Sequence, residues 1–233
     1  MKRIFSTLFS LAIVAGISAQ NFNDPNAEVR DVKNFHGISV SSSFDVYIDQ
    51  ASTEAVAVSA ASVSDREKII VEVKNGILYI GYDKKMQFGR NRKLKAYISV
   101  KNIDELRISG ACDVKINGIL RGGSLSVSQS GASDLDGQVE VDKLSVDLSG
   151  ASDITLSGKA TQLHIDASGA SSFKGFGLET ETCHADASGA SDIKITVSRE
   201  LSAEASGASD VRYRGNGVIR EIRSSGASSI NKG

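Results

Sequence analysis

The stretch Leu144–Leu156 reads Leu-Ser-Val-Asp-Leu-Ser-Gly-Ala-Ser-Asp-Ile-Thr-Leu. Apolar side chains alternate with polar ones on both sides of its central Ser-Gly-Ala-Ser-Asp. Alternation with a period of two is typical of a β-strand that buries one face. The stretch therefore predicts two short strands that are joined by a tight corner at Gly150.

The corner motif recurs seven times, as Ser-Gly-Ala followed by Ser or Cys and then by Asp or Ser, and its glycines are 18 to 21 residues apart. These glycines are Gly110, Gly131, Gly150, Gly169, Gly189, Gly207 and Gly226. A period near 20 is typical of a solenoid, in which stacked coils share one core. Parallel crossovers are right-handed, and the six-residue units of left-handed hexapeptide helices are absent. The sequence therefore predicts an all-β fold, a right-handed parallel β-helix.

Residues at the same distance from the motif glycine should stack on one another in successive coils. Positions −4 and +4 are apolar in every coil, and Ile154, Phe173 and Ile193 occupy +4 in three successive coils. Position +1 is always alanine, which we attribute to crowding between stacked corners. The flanking Ser and Asp side chains are expected to bond the corner amides.

Residues 33–104 are less regular but contain six alternating or β-branched segments. We expect strands at Phe35–Val40, Phe44–Ile48, Ala55–Ser59, Ile69–Lys74, Ile77–Tyr82 and Leu94–Val100. Asn75-Gly76 predicts a hairpin turn, and Ser42–Val46 resembles a degenerate corner. We predict one domain, 33–233, in which 33–104 form irregular coils and a capping hairpin and 105–233 form the seven regular repeats.

The first 19 residues have the pattern of a secretory signal peptide, since Lys2 and Arg3 precede an apolar stretch too short to span a bilayer. Residues 20–32 would form an N-terminal extension, and no later segment has transmembrane length. Removing the leader changes the formal net charge from −1 to −3, a balance that argues against nucleic acid as a partner. We expect an exported protein in the periplasm, on the outer-membrane surface or outside the cell.

The chain has two cysteines, Cys112 and Cys183. In the predicted register they lie between three and four coils apart, roughly 17 Å at ~4.8 Å per coil. A disulfide requires Cα atoms within about 7 Å of each other. The register therefore predicts two free thiols, with Cys183 buried as a small apolar residue.

Taken together, these segments resemble the autotransporter adhesin head domain, the GIN domain family that is common in Bacteroidetes. The resemblance rests on the leader, on Phe35–Val40, on Phe44-Asp45-Val46, on Asn75-Gly76-Ile77-Leu78 and on the repeated Ser-Gly-Ala-Ser-Asp. It covers nearly all of residues 33–230. It implies a right-handed β-helix that is exported from a Gram-negative cell, with a role in adhesion and without catalytic residues.

Four side chains at outward positions offer ligands to a metal. His164 and His184 occupy position −5 of successive coils, and Asp166 and Asp186 occupy position −3 of the same coils. Two imidazoles and two carboxylates on one face could bind a transition metal. The alternative is a solvated face with incidental His–Asp pairing. We expect no resident cofactor and, at most, an adventitious divalent metal.

An insertion between two predicted strands, residues 83–93, is strongly basic and also contains Met86 and Phe88. Its basic residues are Lys84, Lys85, Arg90, Arg92 and Lys93. This composition suits contact with an anionic glycan or a lipid headgroup. The alternative is a solvated loop that protects a sheet edge, with Phe88 folded inward.

Parts of these patterns also fit two further functions, calcium binding and glycan cleavage. Aspartates recur at position +3 and could bind calcium, although basic residues at +5 favour a salt-bridge lattice. Parallel β-helices also include glycan-cleaving enzymes, which need paired carboxylates in a cleft walled by long loops. The near-constant repeat over 105–233 leaves almost no insertion to build such a cleft.

We therefore predict a non-catalytic binding or structural module of the cell envelope, with a glycan or an envelope surface component as its partner. The alternative is a glycan-cleaving enzyme of the parallel β-helix type. A purely structural component without a specific ligand is the third possibility. The C-terminal end lacks an obvious cap, so we expect it to favour homo-oligomers through end-to-end pairing.

Overall fold

The computed structural model of the chain describes residues 24–83 and 93–233. Of the described residues, 67% lie in β-strands and 2% in the helix. The strands form one continuous sheet that winds into a parallel β-solenoid of about seven turns, with successive coils about 19 residues apart. The predicted all-β parallel solenoid is confirmed.

The elements follow one another closely along the chain. Those of the N-terminal region are β1 (Glu28–Arg30), β2 (Gly37–Val40), β3 (Phe44–Gln50), β4 (Ala55–Ser59), α1 (Val63–Arg66), β5 (Ile69–Lys74), β6 (Ile77–Tyr82) and β7 (Leu94–Val100). Those of the repeats are β8 (Glu105–Ile108), β9 (Asp113–Gln129), β10 (Asp134–Leu148), β11 (Asp153–Ala167), β12 (Ser172–Ala187), β13 (Asp192–Ala205), β14 (Asp210–Arg214), β15 (Val218–Ser224) and β16 (Ser229–Lys232).

Each coil from β9 to β13 is one long strand of 14 to 17 residues that bends around the core. Successive coils pair in parallel, with equivalent positions opposite each other. Phe173 therefore lies between Ile154 and Ile193, and His164 lies opposite His184. The predicted stacking register is confirmed.

The core is a set of aliphatic columns that run along the solenoid. Ile154, Phe173 and Ile193 at position +4 are completely buried. The ring of Phe173 occupies the space in which a side chain at Gly175 would lie, because a Cβ atom on Gly175 would overlap the ring. Large and small residues therefore compensate for each other within one coil, as close packing requires.

The corners require glycine for two independent reasons. All seven motif glycines have φ between +74° and +92°, a region that side chains disfavour. In addition, a Cβ atom on Gly150 would lie 2.5 Å from the carbonyl oxygen of Gly131 in the preceding coil. Ser42 belongs to the same column, since it has a φ of +95° and its carbonyl accepts the amide of Ala111 at 2.7 Å. The predicted degenerate corner is confirmed.

The hydrogen bonds of the corners differ from our prediction. Backbone carbonyls satisfy the corner amides, since each motif alanine donates its N–H to the corner residue of the preceding coil at 2.7–2.8 Å. The serine at position +2 points inward instead. Ser152, for example, is fully buried and donates its hydroxyl to the carbonyl of Ser149 at 2.9 Å. The alanines at +1 are exposed, so the predicted crowding between stacked corners does not explain why alanine is invariant there.

The N-terminal coils are not stacked in the order of the sequence. β2 pairs in parallel with both β6 and β8, and β3 pairs in parallel with both β7 and β9. The first coil of the chain, formed by β2 and β3, therefore lies between two later coils. One of these is formed by β6 and β7, and the other by β8 and β9. Neither this order, nor β1, nor α1 was predicted.

Antiparallel strands close the N-terminal end of the solenoid. β5 and β6 form the predicted hairpin, with Asn75 and Gly76 at φ +52° and +76°. β4 pairs antiparallel with β7, and β1 pairs antiparallel with β4, so that part of the predicted N-terminal extension joins the sheet.

At the other end, β15 is exposed at all seven positions, and its large apolar residues Val218, Ile219 and Ile222 face solvent. Self-association through this end stays a prediction.

Both cysteines are free and buried, and burial raises the pKa of each thiol. We expect the native protein at pH 7.5 to react slowly with a thiol reagent, because the reactive thiolate is disfavoured and shielded. In denaturant we expect two thiols per chain to react at once. Absorbance titration measures both values, and fewer than two thiols in denaturant would contradict the register.

Candidate functional site: a histidine groove

A shallow groove runs along one long face of the solenoid and crosses five coils. Its walls are the outward side chains at positions −7 and −5, and its floor is the backbone at position −6. The volume of the groove is about 550 Å³. Its central residues are Lys143, Ser145, Gln162, His164, Thr182 and His184, and we call it the histidine groove.

Alternation along the strands places the two histidines on this face. The neighbours of His164, Leu163 and Ile165, are buried, which directs the imidazole outward. Cys183 and Ala185 do the same for His184. The parallel register then brings the two rings face to face, with centroids 5.2 Å apart and planes inclined by 4°.

Each histidine is paired with the aspartate two residues further along its own strand. His164 Nε2 lies 3.0 Å from Asp166 Oδ2, and His184 Nε2 lies 3.2 Å from Asp186 Oδ2. The four side chains are between 38% and 48% exposed, so these pairs contribute little to stability. We call the four residues, His164, Asp166, His184 and Asp186, the His–Asp quartet.

The aspartates of the quartet belong to a longer acidic column at position −3. Asp147, Asp166, Asp186 and Glu204 pair in register on four successive coils. Burial raises the pKa of Asp186, with further increases from Asp166 and Glu204 and a partial offset from His184. Arg223 offsets the negative charge at one end of the column, since its Nη1 lies 2.9 Å from Glu204 Oε1.

The sequence-predicted metal residues are therefore brought together, but as two His–Asp pairs. In the ranges 24–83 and 93–233, no three His, Cys, Asp or Glu side chains form a ready-made metal site. The parallel imidazoles of the quartet are stacked face to face, so their nitrogens do not converge on a common point. A metal ion would have to draw these groups together.

The aspartates at position +3 lie on another face, where several of them form ion pairs. Lys174 Nζ reaches Asp153 Oδ2 of the preceding coil at 2.8 Å, and Lys194 Nζ reaches Asp192 Oδ2 of its own coil at 3.0 Å. These contacts support the salt-bridge lattice over the calcium site. We call this the aspartate face, and its groove has a volume of about 530 Å³.

Most of the predicted basic loop lies outside the described residues, namely Lys84, Lys85, Met86, Phe88, Arg90 and Arg92. Lys93 is described: it is exposed, has a φ of +45° and directly precedes β7. Ligand binding by this loop stays a prediction.

Sequence reasoning missed two features of the surface. The polar residues at position −7, such as Gln162 and Thr182, complete the histidine groove, and the repeat period itself could have revealed them. A third His–Asp pair joins His36 Nδ1 to Asp104 Oδ1 at 2.8 Å. No local sequence pattern predicts that pair, because it forms only when the first coil of the chain lies next to β8.

The fold and the groove define a parallel β-solenoid whose long faces present repeated polar side chains. Within residues 24–83 and 93–233, no helix has the length and the apolar character of a membrane span. The family profile described as "Putative auto-transporter adhesin, head GIN domain" matches residues 34–217. The chain belongs to this family, as its resemblance had indicated.

Several crystal structures are similar to this chain. A "putative adhesin" from Bacteroides fragilis NCTC 9343 has a TM-score of 0.84 and 22% identity, over 88% of this chain and 95% of that one. A "putative adhesin" from Parabacteroides merdae ATCC 43184 has a TM-score of 0.68 and 16% identity, over 89% and 95%. A "putative lipid binding protein" from Parabacteroides distasonis ATCC 8503 has a TM-score of 0.64 and 20% identity, over 90% and 97%.

At these identities the similarity concerns the fold alone. No curated protein matches the sequence significantly.

Proposed function

We propose that this protein is an exported, non-catalytic adhesin module that holds an extended surface glycan along the histidine groove. The signal-peptide pattern of the first 19 residues and the adhesin family support export and attachment. The periplasm, the outer-membrane surface and the medium all suit such a module, and fractionation of cells that express the full chain distinguishes them.

The observation that carries the proposal is the in-register repetition of polar side chains along the groove. Gln162 pairs with Thr182, and Ser145, His164 and His184 follow one another on the adjacent column. Parallel strands are spaced by about 4.8 Å, so hydroxyl, amide and imidazole groups recur at that interval. A polymer with many hydroxyl groups can form hydrogen bonds with several of these groups at once, and the flat imidazoles offer it planar surfaces.

Long strands that are fixed by their neighbours on both sides make this surface rigid. A ligand therefore loses little free energy to ordering of the protein, and many weak contacts can add up. The groove is open along its length, which suits a chain that extends beyond the site at both ends.

A glycan-cleaving enzyme is the second candidate, because Asp166 and Asp186 place two carboxylates next to each other in a second open groove, which lies beside the histidine groove. Retaining and inverting enzymes need carboxyl groups about 5–5.5 Å or 6.5–9.5 Å apart, on either side of the bond they cleave. Here both carboxylates are on the same wall, and each is paired with a histidine. This arrangement favours binding over cleavage.

The test is retention of the protein on an array of neutral and anionic polysaccharides, followed by affinity measurement on the best of them. We expect the double variant Gln162→Ala/Thr182→Ala to bind about tenfold more weakly, since two hydrogen bonds of ~0.5–1.5 kcal/mol each are removed. The matched control is Thr155→Ala/Lys174→Ala, an in-register pair on the aspartate face. We expect its affinity to stay within twofold of the parent.

Three outcomes would count against the proposal. Release of reducing ends during incubation would favour the enzyme. Absence of retention on every polysaccharide would reject glycan binding. Equal losses in the two double variants would place the ligand somewhere other than the histidine groove.

A further inference from the structure

We propose that the His–Asp quartet is a binding site for a late first-row divalent transition metal, with Zn²⁺ as the probe ion. The site would link two successive coils through the imidazoles of β11 and β12. It goes beyond the proposed function, because it requires no glycan and uses residues that the glycan test leaves intact.

The ligand set has the chemistry of such a site. Imidazole nitrogen suits Zn²⁺, Cu²⁺ and Ni²⁺, and carboxylate oxygen completes their coordination. Ca²⁺ and Mg²⁺ prefer sites made only of oxygen atoms. The pair of imidazoles therefore favours a transition metal over these two ions.

The geometry requires the two rings to move closer together and to turn toward a common point. The ring centroids are 5.2 Å apart and the planes are nearly parallel, so equivalent nitrogens are separated by a similar distance. Two imidazole nitrogens on a tetrahedral Zn²⁺ are about 3.3 Å apart, given Zn–N distances of about 2.05 Å. Each nitrogen would move by about 1 Å, and each ring would turn by roughly 55° so that its in-plane lone pair points at the ion, a rotation that the broad χ2 torsion of histidine permits.

The carboxylates are already next to the nitrogens that would bind the ion. Asp166 Oδ2 and Asp186 Oδ2 lie 3.0 and 3.2 Å from the Nε2 atoms of their histidines. A metal bound by both Nε2 atoms at the shared edge of the rings would replace these two exposed hydrogen bonds.

The charge of this face also favours a cation. Asp147, Asp166, Asp186 and Glu204 stack in one column, and like charges directly opposite each other on neighbouring strands are destabilising. In the described part of the chain, the ion pairs of this column are with His164, His184 and Arg223. A divalent ion at the quartet would offset the repulsion in the middle of the column.

The experiment is calorimetric titration of the purified protein with Zn²⁺ at pH 7.5, with Ca²⁺ as the comparison ion. We expect one Zn²⁺ per chain, and at least a tenfold weaker affinity in His164→Gln and in His184→Gln. His36→Gln is the matched control, because it breaks a His–Asp pair that has no stacked second histidine. Its affinity should stay within twofold of the parent.

Thermal unfolding provides a second readout and shows that the variants are folded. We expect Zn²⁺ to raise the Tm of the parent and of His36→Gln, but not that of the double variant His164→Gln/His184→Gln. Without metal, the Tm of the double variant should match that of the parent, because both histidine side chains are half exposed.

The proposal is overturned if Zn²⁺ does not bind at 0.1–1 mM, roughly the weak end of specific sites. It is also overturned if the double variant binds as the parent does, which would mean an adventitious ion only, or if Ca²⁺ displaces Zn²⁺ stoichiometrically, which would locate the ion on the acidic column alone.

Discussion

Replacement of Gly150 by alanine should destabilise the solenoid by about 2–5 kcal/mol. Gly150 has a φ of +77°, and the left-handed region costs a residue with a side chain about 1–2 kcal/mol. The new Cβ would also lie 2.5 Å from the carbonyl oxygen of Gly131. That oxygen is backbone and accepts the amide of Ala151 at 2.8 Å, so it cannot move away without loss of the bond that joins the two corners. Overpacking of this kind adds about 1–3 kcal/mol.

Gly118→Ala is the matched control, because it separates these two contributions. Gly118 has a φ of +72°, and no atom lies within 4 Å of the position of its Cβ. We expect this variant to lose only the conformational part, about 1–2 kcal/mol. Urea unfolding followed by circular dichroism gives both free energies. Equal losses in the two variants would mean that contact between stacked corners does not matter.

Phe173→Ala should destabilise the protein by about 3–5 kcal/mol, the usual cost of a fully buried aromatic truncation. Phe173 is completely buried and lies between Ile154 and Ile193 in the +4 column. The cavity cannot be filled from the side, because the adjacent Gly175 has no side chain. The long strands on both sides also limit collapse, since each is held in register by its own neighbours.

Val218→Ala is the appropriate comparison for this core variant, because Val218 is apolar and 60% exposed on β15. A change within about 0.5 kcal/mol is expected there. Both values come from the same urea titrations. A loss below about 1.5 kcal/mol for Phe173→Ala would indicate that the core relaxes around the missing ring and that the columns are not closely packed.

The regular half of the fold could be predicted because the spacing of the motif glycines determines which residues stack on one another. Once the motif glycines are aligned, the spacing places Phe173 over Ile154 and His184 over His164, and alternation decides which of them faces the core. The stacked rings and their aspartates followed from this alignment. The inward serines did not, because Ser at position +2 is polar and only the bend at the glycine turns its hydroxyl into the interior.

In the N-terminal half the positions of the strands could be predicted, but the order in which their coils stack could not. Strand signals are local, and those of β4, β5, β6 and β7 matched the structure. The order of the coils depends on pairing between β2 and β8, whose partners Val40 and Ile108 are far apart in sequence, and no local pattern encodes that pairing. The pair of His36 and Asp104 was invisible for the same reason.

The insertion of the coil of β2 and β3 between its neighbours limits where the length of the protein can change. In the regular half each strand from β10 to β13 pairs only with the coil before it and the coil after it, so a whole repeat could be lost or duplicated and identical corners would meet again. In the N-terminal half the chain leaves its first coil, builds another on one side of it and returns on the other side. Insertion or deletion of whole coils is therefore compatible with the regular half of the solenoid. In the N-terminal half, loss of the first coil would remove the pairing partners of two others.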